Sequence, residues 1–178
     1  MKKILYLLFT VCFISNLKAQ TIIFPDANFK ARLLLADAGN GIAYHNGNSF
    51  KIDSNNDNEI QVSEALLVNN LVLYNCGISN LSGLEYFINL THLNCGNNTI
   101  STLDLTPFTN LIGFDAYNNS LTSLNISNLT QLTNFSCNNN QITNLVLANL
   151  PNLLVIRCNN NLLTTLGINN LSNLRHIY

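Results

Sequence analysis

The sequence predicts an α/β solenoid with a parallel sheet on its concave side, an irregular or 3-10 convex side and a small helical cap at its N-terminal end. An apolar pattern repeats every 21 residues through the C-terminal part of the chain. An asparagine recurs at the same place in each repeat, and residues 20–67 lack the pattern altogether. A repeat of this length has room for a short strand and an extended return, but not for a full α-helix as well.

The repeat is visible as columns of leucine. Its first column, spaced by 21 residues, contains Leu90, Leu111, Leu132, Leu153 and Leu174. Four further apolar columns keep this spacing, and an earlier unit that contains Leu71 and Leu73 is one residue longer. The repeats therefore occupy residues 68–178, as about five units. Because the chain stops within a sixth unit, we expect it to be part of a longer protein.

Aligned, each unit reads Leu-x-x-Leu-x-Leu/Cys-x-x-Asn-x-Ile/Leu. This motif resembles the leucine-rich repeat, in the short form of 21 to 22 residues that occurs in internalins. The resemblance covers residues 68–178 and points to secreted bacterial proteins of this type. It implies a horseshoe whose concave sheet binds a partner at the cell surface.

The recurring asparagines are predicted to be structural. Their column contains Asn98, Asn119, Asn140 and Asn161, each where the chain must turn away from the strand. Where the chain leaves the strand, its backbone N–H and C=O groups lose their partners on the sheet. Each such group that is buried without a hydrogen bond costs about 1 to 3 kcal/mol of folding free energy. A side-chain amide can satisfy both N–H and C=O groups, so we expect an asparagine ladder inside the solenoid.

Residues 1–19 have the pattern of a secretory signal peptide. Met1-Lys2-Lys3 is followed by an apolar run from Ile4 to Ile14 and by Leu17-Lys18-Ala19. The run is too short for a permanent membrane span, and no later segment has the roughly twenty apolar residues that a span needs. We therefore expect a secreted or cell-surface protein without a transmembrane segment. Lipidation at Cys12 is disfavoured, because Val11 is not the small residue it requires.

The charge balance disfavours nucleic acid as a partner. Charged residues make up 10% of the chain, whereas asparagine accounts for roughly a fifth. Without residues 1–19 the net charge is about −4, since three lysines are removed with the leader. A protein with a net negative charge and few basic residues offers no basic patch for the phosphates of a nucleic acid.

Residues 20–67 are predicted to cap the exposed end of the first repeat. Asp26 can cap a helix from about Ala27 to Asp37, whose apolar face carries Phe29 and Leu33. The sequence 39–41, Gly-Asn-Gly, is predicted to end this helix.

Within the cap, residues 53–64 place oxygen side chains at regular positions. The predicted ligands are Asp53, Asn55, Asp57, the carbonyl of Glu59, and Glu64. This spacing resembles the EF-hand loop and implies a weak, structural calcium site. Asn58 stands where that loop usually has glycine, and asparagine tolerates the left-handed turn required there. The alternative is a metal-free loop, as in internalin caps.

The positions of the cysteines and histidines do not indicate an enzyme. Cys95, Cys137 and Cys158 share an apolar column, so we interpret them as core residues; a disulfide between the last two is disfavoured by their parallel side chains. His92 and His176 lie four repeats apart, about 20 Å at the usual strand spacing, and cannot share a site. No zinc-type pairing is present.

Strand residues that point away from the core are predicted to form the binding surface. The candidates are Tyr74, His92, Asn94, Asp115, Tyr117, Ser136 and Arg157. Aromatic rings and one arginine in an otherwise uncharged field suit a protein or glycan partner. The alternative hypothesis is a structural spacer within a larger surface protein.

Overall fold

The computed structural model describes residues 20–178, so the predicted leader, residues 1–19, lies outside the described part. Ten strands are present: β1 (Ala43–His45), β2 (Asn48–Ser49), β3 (Asn70–Val72), β4 (His92–Asn94), β5 (Gly113–Asp115), β6 (Asn134–Ser136), β7 (Asn144–Ala148), β8 (Val155–Arg157), β9 (Thr165–Asn169) and β10 (His176–Ile177). An eight-stranded sheet has the order β10-β8-β6-β5-β4-β3-β1-β2, and β7 pairs with β9 separately. No helix among residues 20–178 is long and apolar enough to cross a membrane.

The sheet follows from the 21-residue period. Strands β3, β4, β5, β6 and β8 each have a buried middle residue, as Leu93 and Phe114 are. Neighbouring strands are parallel and in register, with Leu93 opposite Phe114 and Phe114 opposite Phe135. The Phe114 and Phe135 rings stack with centroids 5.8 Å apart. The predicted parallel-sheet solenoid is confirmed, because one period of sequence returns each side chain to the same face of the next turn.

The cap contains helices α1 (Ala27–Leu34) and α2 (Val62–Ala65) and the β1–β2 hairpin. Strand β1 pairs antiparallel with β3, so the cap extends the sheet of the repeats. The Asp26 side chain caps α1 by accepting from the N–H groups of Asn28 and Phe29, both at 3.0 Å, as predicted. The helix ends at Leu34, before Asp37, and the Asn40 amide donates to the carbonyl of its C-cap residue Leu35.

Asp26 also binds the cap to the first repeat, a contact that was not predicted from the sequence. Its second carboxylate oxygen accepts from the Ser79 N–H at 2.8 Å and from the Asn80 N–H at 3.1 Å. Burial works to raise the pKa of this carboxyl, but the bonds from Ser79 and Phe29 hold the pKa below its ordinary value. One carboxylate therefore both starts α1 and fixes it to a residue 53 positions away.

The predicted asparagine ladder is present, with Asn98 and Asn140 buried and Asn119 and Asn161 half-buried. The Asn140 amide donates to Ala116 O at 2.9 Å and to Cys137 O at 3.0 Å, and its oxygen accepts from Leu121 N at 2.9 Å. One amide thus bridges its own turn and the preceding one. The same pattern recurs at Asn98, Asn119 and Asn161.

A second asparagine ladder, not predicted, runs beside the first at the surface. Its members are Asn75, Asn97, Asn118, Asn139 and Asn160, with φ between 51° and 59°. Each amide after that of Asn75 donates to the oxygen of the preceding member, at 2.6 Å from Asn139 to Asn118. Every residue other than glycine with positive φ in the described chain is an asparagine. The high asparagine content therefore meets two separate needs, left-handed turns and amide pairing.

The backbone conformation of the convex side changes along the solenoid, from turns to strands. In the second and third repeats Asp104 and Asn125 accept bonds from the backbone N–H two residues later, which bends the chain. The equivalent residues in the next two repeats are Val146 and Gly167, which cannot form this turn. There the chain stays extended and pairs as β7 and β9. The first repeat instead has a 3-10 helix, Leu84–Tyr86.

We predict that Asn140→Ala lowers the free energy of unfolding by about 2 to 4 kcal/mol, because buried backbone groups on two turns lose their partner. Guanidinium denaturation measures this. The control is Asn128→Ala, an exposed position, where we expect a change within about 0.5 kcal/mol. Equal effects of the two substitutions would contradict a structural role for the buried ladder.

Candidate functional site

The seven predicted partner-binding residues lie on one face of the eight-stranded sheet, and we call them the concave patch: Tyr74, His92, Asn94, Asp115, Tyr117, Ser136 and Arg157. Tyr74 is 44% exposed, and His92 and Arg157 are also exposed. Asn94, Asp115 and Tyr117 are half-buried. Ser136 is only 5% exposed and donates its hydroxyl to Asn138 at 2.8 Å, which leaves little of it for a partner.

Two tyrosines form the aromatic centre of the concave patch. Tyr74 follows β3 and Tyr117 follows β5, so a strand separates them, and residues two strands apart lie about 10 Å from each other. Their ring centroids are nevertheless 6.2 Å apart, with the planes tilted by 41°. The two rings therefore lean towards each other across the intervening strand.

Gly96 makes room for this approach. It occupies the position between the two tyrosines, and a Cβ atom built there would lie 2.9 Å from the Tyr117 ring. Any larger residue would push that ring away. Gly96 is not among the residues predicted from the sequence, although a glycine between two tyrosines in one column was a signal for it.

A second ring lies over a glycine in the same way. A Cβ atom at Gly113 would lie 2.7 Å from His92 Cδ2. The His92 ring therefore covers the backbone of the neighbouring strand. Two glycines thus allow two rings of the concave patch to approach the backbone of a neighbouring strand closely.

The concave patch carries one carboxylate, Asp115, and one guanidinium, Arg157. Burial raises the pKa of the Asp115 carboxyl, and nearby Arg157 and His92 oppose that effect. The Arg157 guanidinium carbon lies 5.4 Å from the ring centroid of Tyr178, and that ring stacks with His176 at 6.0 Å. The patch therefore combines one half-buried carboxylate with a cation that is packed against an aromatic ring.

The cysteine column is part of the core, as predicted. Cys95, Cys137 and Cys158 are buried, and all four cysteines of residues 20–178 are free thiols. Burial raises the pKa of Cys95 and of Cys137 to about 12. These thiols stay protonated at neutral pH and are therefore poor nucleophiles.

The EF-hand-like loop is closed by its own hydrogen bonds. The Asp53 carboxylate accepts from the N–H groups of Asp57 at 3.1 Å and Asn58 at 3.2 Å. Asn58 has a φ of 62°, which confirms the left-handed conformation predicted for it. The Asn55 amide donates to Asp57 at 2.9 Å. Oxygens of Asp53, Asn55 and Asp57 are thereby held close together.

The last predicted ligand has other partners. The Glu64 carboxylate accepts from the N–H groups of Ser54 at 2.8 Å and Gln61 at 3.0 Å. The Glu59 side chain pairs with Lys30 at 2.7 Å, so only its carbonyl is available to the loop. Within residues 20–178, no three carboxylate, imidazole or thiol groups are grouped as a metal site. Three oxygen donors suit a hard cation, and Glu64 would have to exchange its present bonds to join them.

No family model and no curated protein matches the sequence. Among solved structures, the functional domain of InlJ from Listeria monocytogenes, described as including a cysteine ladder, is similar over 79% of this chain. Its sequence identity is 30% and the TM-score is 0.65, and this chain spans 28% of that chain.

The internalin InlF from Listeria monocytogenes is similar over 78% of this chain, which spans 51% of that structure, with 17% identity and a TM-score of 0.54. That second likeness concerns the fold alone. Together with the parallel sheet and the 21-residue period, these structures support an internalin-like leucine-rich-repeat fold.

Proposed function

We propose that this protein is a secreted or cell-surface binding module that recognises a protein or glycan partner through the concave patch. The tyrosine pair carries the proposal, since its centroid distance of 6.2 Å depends on the missing side chain at Gly96. Rings that are already held in place lose little conformational entropy when a partner binds. The likeness to internalins supports a binding role over an enzymatic one.

The surroundings of the tyrosine pair suit recognition. Asn94 lies beside the pair and uses its side-chain oxygen to accept from Gly96 N at 3.0 Å. Asp115 and Arg157 add one charge of each sign near the rings. Apolar ring surface beside a few fixed polar groups is typical of interface centres, where tyrosine and arginine contribute most.

We predict that the triple variant Tyr74→Ser, Tyr117→Ser, Arg157→Gln loses binding by at least about 100-fold, equivalent to about 2.7 kcal/mol. Binding is measured on a glycan array and against a panel of displayed extracellular domains. The matched control replaces Asn110, Asn128 and Gln131 by alanine, exposed positions outside the concave patch.

Circular dichroism should be unchanged in both triple variants. If the wild-type protein binds nothing on either panel, or the first variant binds as the wild type does, the recognition proposal is wrong. The spacer hypothesis would then be favoured.

Gly96→Val is a more specific test, because it replaces none of the seven residues of the concave patch. Since the added methyl groups must displace the Tyr117 ring, we predict at least about tenfold weaker binding and loss of the ring-to-ring nuclear Overhauser effect between Tyr74 and Tyr117. Gly39→Ala is the control, because its added Cβ meets nothing closer than 3.6 Å. If the rings are displaced and the affinity is unchanged, the tyrosine pair does not contact the partner.

We also propose that residues 53–64 bind calcium as a structural ion. Asp53, Asn55, Asp57 and the carbonyl of Glu59 would supply oxygens, and Glu64 would join by releasing Ser54 and Gln61. Because Glu64 already holds the start of α2, calcium would tie the loop to the helix that precedes the first repeat. An affinity on the order of 10⁻⁴ M is typical of extracellular calcium modules.

At 10 mM calcium, a site of this affinity stabilises the folded state by about 2.7 kcal/mol. We therefore predict a melting midpoint about 5 to 10 °C higher in calcium than in EGTA. Asp57→Asn should reduce this difference, whereas Asp104→Asn, outside the loop, should retain it. Equal midpoints in calcium and EGTA would count against binding.

A further inference from the structure

A trough crosses the convex flank of the first three repeats. It encloses about 550 Å³, and its floor includes Leu103 and Leu124. The Thr102 and Ser123 side chains line it, and Glu85 and Asp104 add two carboxylates. We call this cavity the flank trough. It lies apart from the concave patch, because its residues belong to the return segments between strands.

The flank trough continues into a second cavity of about 320 Å³, which shares Ser123 and Leu124 and reaches Val146. The two together cross four turns of the solenoid. At a spacing of just under 5 Å per turn, this is about 15 Å, the length of four or five extended residues. Strand β7 bounds the far end, where Val146 is 50% exposed.

Among residues 20–178, no cationic side chain forms a salt bridge with the carboxylates at the acidic end of the flank trough. The salt bridge of residues 20–178 joins Lys30 to Glu59, in the cap. One Glu85 oxygen accepts from Gly83 N at 2.7 Å, and one Asp104 oxygen accepts from Thr106 N at 2.9 Å. These backbone bonds engage only one oxygen of each carboxylate. The bond from Thr106 also holds the pKa of Asp104 below its ordinary value, so Asp104 is ionised at neutral pH.

Leucine side chains beside two carboxylates that have no ion-pair partner in the described chain suit a ligand side chain that is both apolar and cationic. Lysine and arginine place a methylene stem on apolar surface while the cationic head reaches an anion. Leu103 is partly exposed in the trough and can receive such a stem. Thr102 and Ser123 line the trough and are exposed, so their hydroxyls can bond with a peptide backbone.

We propose that the flank trough binds an extended peptide segment, with lysine or arginine at Glu85 and Asp104 and an aliphatic residue towards Val146. The peptide would cross the turns of the solenoid, with its backbone along the hydroxyl-lined wall. The charge of the trough selects basic over acidic peptides. The site is independent of partner binding by the concave patch.

Two hexapeptide probes test this, Lys-Thr-Lys-Thr-Leu-Val and its reverse, each acetylated and amidated so that termini add no charge. We expect at least one probe to shift the backbone amide signals of residues 80–85, 102–104 and 123–125 in a nuclear magnetic resonance titration. The same peptides with glutamine for lysine should bind at least tenfold more weakly. Binding should weaken as salt is raised.

The matched variant is Glu85→Gln with Asp104→Asn. Asparagine preserves the turn at residue 104, because Asn125 forms the same turn one repeat later. This variant should bind the lysine probes at least tenfold more weakly, and Asp115→Asn, on the concave patch, should bind them normally.

The proposal is overturned if neither probe shifts the trough signals, if lysine and glutamine peptides bind alike, or if the double variant binds normally. Glucosamine is titrated in parallel, since an amino sugar also carries a cation. Binding of glucosamine at the trough without binding of either peptide would overturn the peptide assignment as well. Loss of trough binding leaves the concave-patch assays unaffected, so the two functions fail separately.

Discussion

The asparagine amide that follows each of strands β4, β5, β6 and β8 is the interaction on which the rest of the solenoid depends. The chain turns there away from the sheet, and its N–H and C=O groups would otherwise be buried without partners at a cost of about 1 to 3 kcal/mol each. Asn140 satisfies groups on two successive turns at once. Because each turn completes the bonds of its neighbour, the repeats keep one spacing and register. A chain with few charges thereby acquires a rigid backbone.

The fixed spacing gives the concave patch its geometry. Strands repeat at just under 5 Å, so a side chain usually meets its equivalent on the next strand. Glycine at residue 96 breaks this regularity and allows Tyr74 and Tyr117 to meet across a strand. Glycine at residue 113 leaves room for the His92 ring above the neighbouring strand. The absence of a side chain at these two glycines therefore shapes the surface as much as the aromatic rings do.

The convex flank shows how a single position changes local structure. Asp104 and Asn125 bend the chain with a side-chain bond, whereas Val146 leaves it extended as part of β7. The bent repeats leave the flank trough, and the extended repeats close its far end. The two faces of the solenoid thus differ in chemistry, with aromatic rings on the concave side and carboxylates over leucine on the flank.

The sequence by itself determined the solenoid, its parallel sheet and the buried asparagine column, because a strict period places equivalent residues on the same face of every turn. It also indicated that Asp26 caps α1 and that Asn58 adopts a left-handed turn. The tertiary structure decided what depends on contacts between distant turns: the attachment of Asp26 to Ser79, the burial of Ser136, the exposed asparagine ladder and the meeting of Tyr74 with Tyr117. These could not be read from local pattern, since each is set by how side chains on different turns share the space between them.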